Sequence, residues 1–491
     1  MAGTAEVFFE DMHGSPNHLY LGYSHIGMRT ERMSEVDWQN VDMGLRLGPD
    51  CYLRNPIITA AMNCISEDDM GIGAAKVGGA AIIHHANTPE EQKTLVENVY
   101  HHLAGIIEKP LSTSKDNTLH TILEELDNRK KGFRTLPVVD ENNRCVGLLD
   151  KELFQLFGPE TRAEDAMREL GSFTVAEAGV TPNNVYARMR AEKTGKIVLL
   201  DRERRIGGLC LVKDIKRVVD SNPDEYSLDA NGRLIVFASV PTIEGEAVER
   251  VGLLKKYVKA FKIDTSHGEH KYAVRTMKAI QQAHPEVLII SGNISTEETA
   301  EEIAKLEPAM ACAGQGPGEI CISSDRLGYG TPQASAVYEV AKGVRKINPK
   351  IPVIADGGIR DSADTVKAFG IGARAVVVGS LVAGTDETPE RTFDRDPETG
   401  VAFRWYWGMG SRRAQEAFAA ARARYGHIGE APKTIFAEGF EKKVALKGPV
   451  GPVIEEHVMG VKMSMGAQGM NNVVELRQHA QFMRGTNTKA A

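Results

Sequence analysis

The stretch Gly314-Gln315-Gly316-Pro317-Gly318-Glu319-Ile320-Cys321-Ile322-Ser323 sets alternating glycines before a cysteine. Alternating glycines let a backbone turn through positive φ and approach a ligand closely. Their N–H groups can converge on an anion or a ring. A thiol ending such a loop is a candidate nucleophile, because converging N–H dipoles favour the thiolate. A glycine-rich turn is a weak motif alone, so the rest of the chain must support it.

Other small, polar and acidic residues fall where short apolar runs stop. Met62-Asn63-Cys64 follows 56–61, His84-His85-Ala86-Asn87 follows 80–83, and Asp264-Thr265-Ser266-His267-Gly268 ends 260–264. Gly292-Asn293 follows 287–291, Asp356-Gly357-Gly358 follows 352–355, and Gly379-Ser380 follows 375–378. Singly, Asp and Asn favour turns and Ser caps helices. Together they point to a site.

The elements that must position them read as parallel strands buried on both faces, since the apolar runs are continuous. With runs at 234–239 and 309–313 there are eight. Helix-period segments separate most of them, among them 272–283, 296–305, 335–347 and 362–369. This alternation predicts a (β/α)8 TIM barrel in the α/β class, with a doubly wound open sheet as the alternative. Barrel sites lie at the C-terminal ends of strands. Gly357-Gly358 and Gly379-Ser380 take the usual barrel phosphate position, and Asp356 is placed to accept hydrogen bonds from ribose hydroxyls.

Between 105 and 226 the barrel pattern is interrupted. Thr135–Asp140 then Gly147–Leu149, and Lys196–Asp201 then Gly207–Ile215, repeat a strand, turn, strand, helix unit. An unstructured loop of that length is improbable, so an inserted domain is expected. The expected division is 1–104 and 231–491 for the barrel, 105–230 for the insertion, and a mobile flap near 412–440.

The composition, 42% hydrophobic and 25% charged with net charge −7, is that of a globular protein without a broad nucleic-acid surface. No apolar run approaches the roughly 18 residues of a membrane span, and the N-terminus lacks a signal-peptide pattern. The six cysteines form no CxxC pairs, which suits a reducing, cytoplasmic location.

The inserted pair resembles tandem CBS domains, which implies purine nucleotides as ligands, with Asp214 at a ribose position and Asp150-Lys151-Glu152 irregular in the first copy. The whole chain resembles the IMP dehydrogenase/GMP reductase family through Gly314–Cys321, Ile354–Ile359, Gly379–Leu381 and Tyr406–Ser411. The resemblance implies that Cys321 attacks C2 of the purine and that Asp356 holds the ribose. It gives the phosphate to Gly358, Gly379, Ser380 and Tyr406, with Met62, Asn293, Gly318, Gly357, Gly408, Met409 and Gly410 also on the substrate side. It places NAD, or NADPH in a reductase, against Asp264, Thr265, Ser266, Gly314 and Gly316. Main-chain carbonyls of Gly316, Gly318 and Cys321 would hold potassium.

Two reactions share such a site: oxidation of IMP to XMP with NAD, and reduction of GMP to IMP and ammonia with NADPH. The first needs a water-activating Arg-Tyr pair, and Arg424-Tyr425 is correctly spaced; Glu438 would pair with the Ser323 hydroxyl. The expected function is therefore IMP dehydrogenase, with a CBS-regulated GMP reductase as the alternative, in a homotetramer or octamer. Departures are Glu319 where the family has a phosphate-contacting serine, and Cys312 where it has a basic residue. Because a carboxylate repels a phosphate, Glu319 also admits a modified or unphosphorylated purine, or an inactive nucleotide sensor.

Overall fold

The computed structural model describes residues 2–13, 20–30, 34–103, 105–107, 110–128, 135–390, 392–417 and 435–485. They fall into two compact units, Met1–Tyr100 with Pro223–Ala491, and His101–Asn222.

The larger unit closes into a barrel of eight parallel strands: β1 (Ile57–Thr59), β2 (Ala80–Ile83), β3 (Phe237–Val240), β4 (Ala260–Ile263), β5 (Leu288–Ile294), β6 (Met310–Ala313), β7 (Val353–Asp356) and β8 (Ala373–Val378). Each pairs with the next, and β8 returns to β1 through Val376 opposite Ile57. Closure excludes the doubly wound alternative. The third strand starts at Phe237, later than the apolar run suggests, because Leu234 instead forms a bridge with Leu228. The fifth extends to Ile294, past a register shift between Ile290 and Asn293 that sets Asn293 opposite Cys312. An extra residue of this kind re-aims a side chain.

Ile58, Ile82, Ile235, Phe237, Ile290, Met310 and Ile354 fill the interior, with Leu45, Cys51 and Leu53 of an antiparallel hairpin packed against them. Side chains alternate along a strand, so Ala260, Lys262 and Asp264 share the inward face of β4.

Around the barrel lie α1 (Asp68–Lys76), α2 (Pro89–His101), α3 (Glu244–Leu254), α4 (Lys271–Ala283), α5 (Glu297–Ala304), α6 (Gln333–Ile347), α7 (Ser362–Ile371) and α8 (Val450–Ala467). Thr296 and Asp361 cap α5 and α7 by accepting from Thr299 N–H and Asp364 N–H. α5 and α6 pack closely because Gly343 has no side chain: a Cβ there would lie 2.3 Å from the Glu297 carbonyl oxygen. α8 packs against both α7 and α1, completing the ring. No helix among the described residues is long and apolar enough to cross a membrane.

The smaller unit contains two four-stranded sheets. One is built on Leu136–Val139 paired with Cys145–Leu149, the other on Lys196–Leu200 paired with Ile206–Leu211. Each has its own core, and Cys145, Leu148, Val198, Leu200 and Leu209 join the two. Asp214 lies on Val212–Val219, paired with Arg217 at 3.2 Å. Asp150 is nearly buried between Arg168, at 3.1 Å, and Lys196, at 3.3 Å.

Candidate active site

Every described residue expected at the barrel site except Thr265 lines one cavity at the C-terminal ends of the barrel strands. Arg424 and Tyr425 lie outside the described residues.

β6 leads directly into the glycine loop. Gly314 has φ 134° and Gly316 φ 83°, a region that favours glycine. A Cβ on Gly314 would stand 2.3 Å from the Asp356 carbonyl oxygen, so glycine lets the two strand ends meet. Gln333, nearly buried at the start of α6, ties them by donating to the carbonyls of Ala313 and Asp356.

The loop delivers Cys321 to the cavity, its N–H donating to the Gly318 carbonyl at 3.0 Å. Its Sγ lies 3.3 Å from the Ser323 hydroxyl, which donates to Glu438 Oε2 at 2.9 Å. Glu438 arrives from a distant part of the chain. Ile322 N–H donates to the Glu438 carbonyl, Phe440 N–H to that of Ile320, and Glu438 N–H to that of Gly410. A thiol, a hydroxyl and a carboxylate thus form a chain along which a proton can move.

The other cysteines differ. Cys51, Cys64, Cys145, Cys210 and Cys312 are buried, whereas Cys321 is partly open. Burial pushes Cys51 and Cys64 up to about 12 and Cys145 and Cys210 up to about 11, so these thiols stay protonated. Cys312 is raised as well, by burial first.

On the cavity floor stands Asp356, at the end of β7. Its Oδ2 accepts from Lys262 Nζ at 2.6 Å and Asn293 Nδ2 at 3.1 Å, with Cys312 Sγ at 3.7 Å. Asn293 also donates to the Gly314 carbonyl and accepts from Cys312 Sγ. Burial disfavours the Lys262 ammonium, but the charges of Asp356 and Asp264 and the hydrogen bond to Asp356 outweigh it, and its pKa is raised.

Directly after Asp356, Gly357 and Gly358 both have positive φ, 93° and 75°. The Tyr406 hydroxyl approaches so near Gly379 that a Cβ there would meet it at 2.8 Å. Burial holds this phenol well above its ordinary range. Lys447 donates to the carbonyls of Ser380 and Leu381, beneath the same loop. Glu319 does not stand alone here: it is ion-paired with Lys442.

Toward the expected cofactor side, Asp264 is nearly buried, 3.5 Å from His85 Nδ1. Ser266 lines the cavity, while the Thr265 hydroxyl accepts from His267 N–H instead of facing it. His267 reaches the Tyr329 hydroxyl at 2.9 Å, and Glu269 raises its pKa. Asp264, Ser266 and the open glycine loop offer carboxylate, hydroxyl and backbone groups suited to a nicotinamide nucleotide.

Sequence reasoning did not single out Lys262, Gln333 or Lys442. Lys262 carried a signal, as the one charged residue in the buried strand Ala-Phe-Lys-Ile. Gln333 and Lys442 carried none, since their partners are distant in sequence.

Comparison with known proteins agrees with this geometry. A family model describing the IMP dehydrogenase / GMP reductase domain matches residues 21–491. Inosine-5'-monophosphate dehydrogenase of Halalkalibacterium halodurans is 34% identical over 454 residues, 92% of this chain and 91% of that protein. The Aquifex aeolicus protein of the same name is 34% identical, covering 92% and 90%. Among solved structures, a cysteine-to-alanine variant of Trypanosoma brucei GMP reductase bound to guanosine 5'-monophosphate has a TM-score of 0.80 at 27% identity, covering 98% of both chains.

Proposed function

Because the chain belongs to the IMP dehydrogenase/GMP reductase family of oxidoreductase enzymes, we propose that it oxidises IMP to XMP with NAD. The observation that carries this reading is the Cys321–Ser323–Glu438 chain opening into the cavity floored by Asp356. The Cys321 thiolate adds to C2 of the purine. A nicotinamide held against Asp264, Ser266 and the glycine loop would supply the acceptor for the hydride of C2. Water then attacks C2 and displaces the thiolate, giving XMP and a proton. Ser323 and Glu438 hold and move the proton at the sulfur, and Arg424 activates the water.

Asp356 binds the ribose, and Gly358, Gly379, Ser380 and Tyr406 receive the phosphate. The Glu319–Lys442 pair offsets the carboxylate's charge at this end, which supports a phosphorylated substrate. A potassium ion would sit on the carbonyls of Gly316, Gly318 and Cys321, of which Gly318 keeps one lone pair after accepting Cys321 N–H. The inserted unit would bind a purine nucleotide near Asp214, while the burial of Asp150 between Arg168 and Lys196 disfavours a matching site in the first repeat.

The second reading is GMP reductase, favoured by the likeness to the Trypanosoma brucei enzyme across 98% of the chain. The near-ultraviolet absorbance of reduced nicotinamide decides. IMP with NAD should raise it, with a burst that survives Arg424→Ala while steady turnover falls about 10²–10⁴-fold. A fall with GMP and NADPH, and no rise with IMP and NAD, replaces the first reading by the second. Turnover only with an unphosphorylated purine would assign Glu319 to specificity.

A further inference from the structure

Asp356 has two carboxylate oxygens, and they are used unequally. Lys262, Asn293 and Cys312 all contact Oδ2. Among the described residues none donates to Oδ1, on a residue that lines the cavity. The three groups come from β4, β5 and β6, consecutive strands, so their reach is set by the barrel itself. Lys262 Nζ and Cys312 Sγ approach the same oxygen from strands separated only by β5. Lys262 is nearly buried, with 4% of its side chain exposed, and Asp356 is the one carboxylate it pairs with among the described residues.

We propose that Lys262 is a positioning residue, pinning Oδ2 of Asp356 so that Oδ1 is turned to the ribose hydroxyls of the bound nucleotide. A carboxylate held at one oxygen keeps one orientation, and the other oxygen is then a directional acceptor. Without the ammonium, the carboxylate rotates between Asn293 and the cavity, and its hold on a diol weakens. A cation delivered from position 312 should serve the same oxygen. The proposal rests on the reading that a purine ribonucleotide fills the cavity; it is independent of the direction of the redox step.

The experiment measures binding without turnover. IMP, GMP and their 2'-deoxy and 3'-deoxy analogues are titrated into the full-length protein by calorimetry, with thermal melting as a check of folding. Wild type should prefer a ribonucleotide over its weaker-binding deoxy analogue by about 10–100-fold, the range for a hydrogen bond to a charged group. Lys262→Met should lower that preference to about threefold or less, and adding Cys312→Lys should recover most of it. A folded Lys262→Met protein that keeps the full preference overturns the proposal. If Lys262→Met does not fold, the double variant decides: restored folding and preference support the proposal, and their absence overturns it. Wild type binding neither IMP nor GMP would instead remove the nucleotide reading. Wild-type binding without a preference for ribose would overturn the role of Oδ1 and leave that reading standing.

Discussion

Cys321 and Asp356 face one cavity but are held differently. Asp356 ends a barrel strand and is fixed across the barrel interior by Lys262 and Asn293, from β4 and β5. Cys321 sits on a loop, steadied by the Gly318 turn and by a bridge to Gly439 from far along the chain. The floor therefore couples binding to the stability of the barrel. The rim couples chemistry to a segment that can be altered without opening the core.

The strongest break of this contrast is at the rim. Cys321→Ala should reduce turnover to background while nucleotide affinity, by calorimetry, stays within about threefold, because the thiol supplies the covalent step and little binding. Turnover near the wild-type rate would end the nucleophile assignment. Next, Glu438→Gln and Ser323→Ala should each lower kcat by about 10²–10⁴-fold. Since they break one proton path, the double variant should be no slower than the slower single variant. Multiplying effects would show two separate roles.

The floor should respond in stability. Asp356→Ala leaves Lys262 buried without its carboxylate and should cost about 3–5 kcal/mol by denaturant unfolding. A loss below about 1 kcal/mol would mean that the ion pair does not anchor the floor.

His457 serves as a buried control away from the site. It bridges α8 to α7 through the Thr365 hydroxyl at 2.8 Å, and burial lowers its pKa from 6.5 to about 4. Above pH about 6.5 both folded and unfolded forms are neutral. As pH falls from 6.5 toward 4 the unfolded chain takes up the proton first, so stability is lost across that window. The loss reaches about 3 kcal/mol, and His457→Gln should remove it. An unchanged pH profile in that variant would show that other groups govern the acid limb.

The smallest effect is expected from replacing His101–Asn222 by a short linker. The larger unit has its own core and contacts, including Arg54 donating to the carbonyls of Pro223 and Tyr226. Catalysis should stay within about twofold while the response to purine nucleotides disappears. Persistence of that response would place the effector site in the barrel.

Much was legible from local pattern. Continuous apolar runs followed by Asn293, Asp356 or Gly379 marked the strands and the polar residues that line the cavity at their ends, since burial on two faces and the chemistry of turns act over a few residues. The glycine loop announced close backbone approach in the same way. Boundaries were less legible: Leu234 reads as strand but pairs with Leu228, a choice made by a neighbour outside the run.

The sequence by itself determined the alternation of strands and helices, the polar residues at the strand ends and the position of the thiol. Tertiary structure alone decided the pairings. Glu319 looks repulsive toward a phosphate until Lys442 meets it, 123 positions away. Lys262 finds Asp356 across 94 positions, and Ser323 meets Glu438 across 115, a pair that only the family resemblance, not local pattern, implies. Barrel closure brings Lys262 to Asp356, because it makes inward positions of sequence-distant strands neighbours, whereas the other two pairs form where the segment around Gly439 bridges back onto the glycine loop. No periodicity within one segment carries that information.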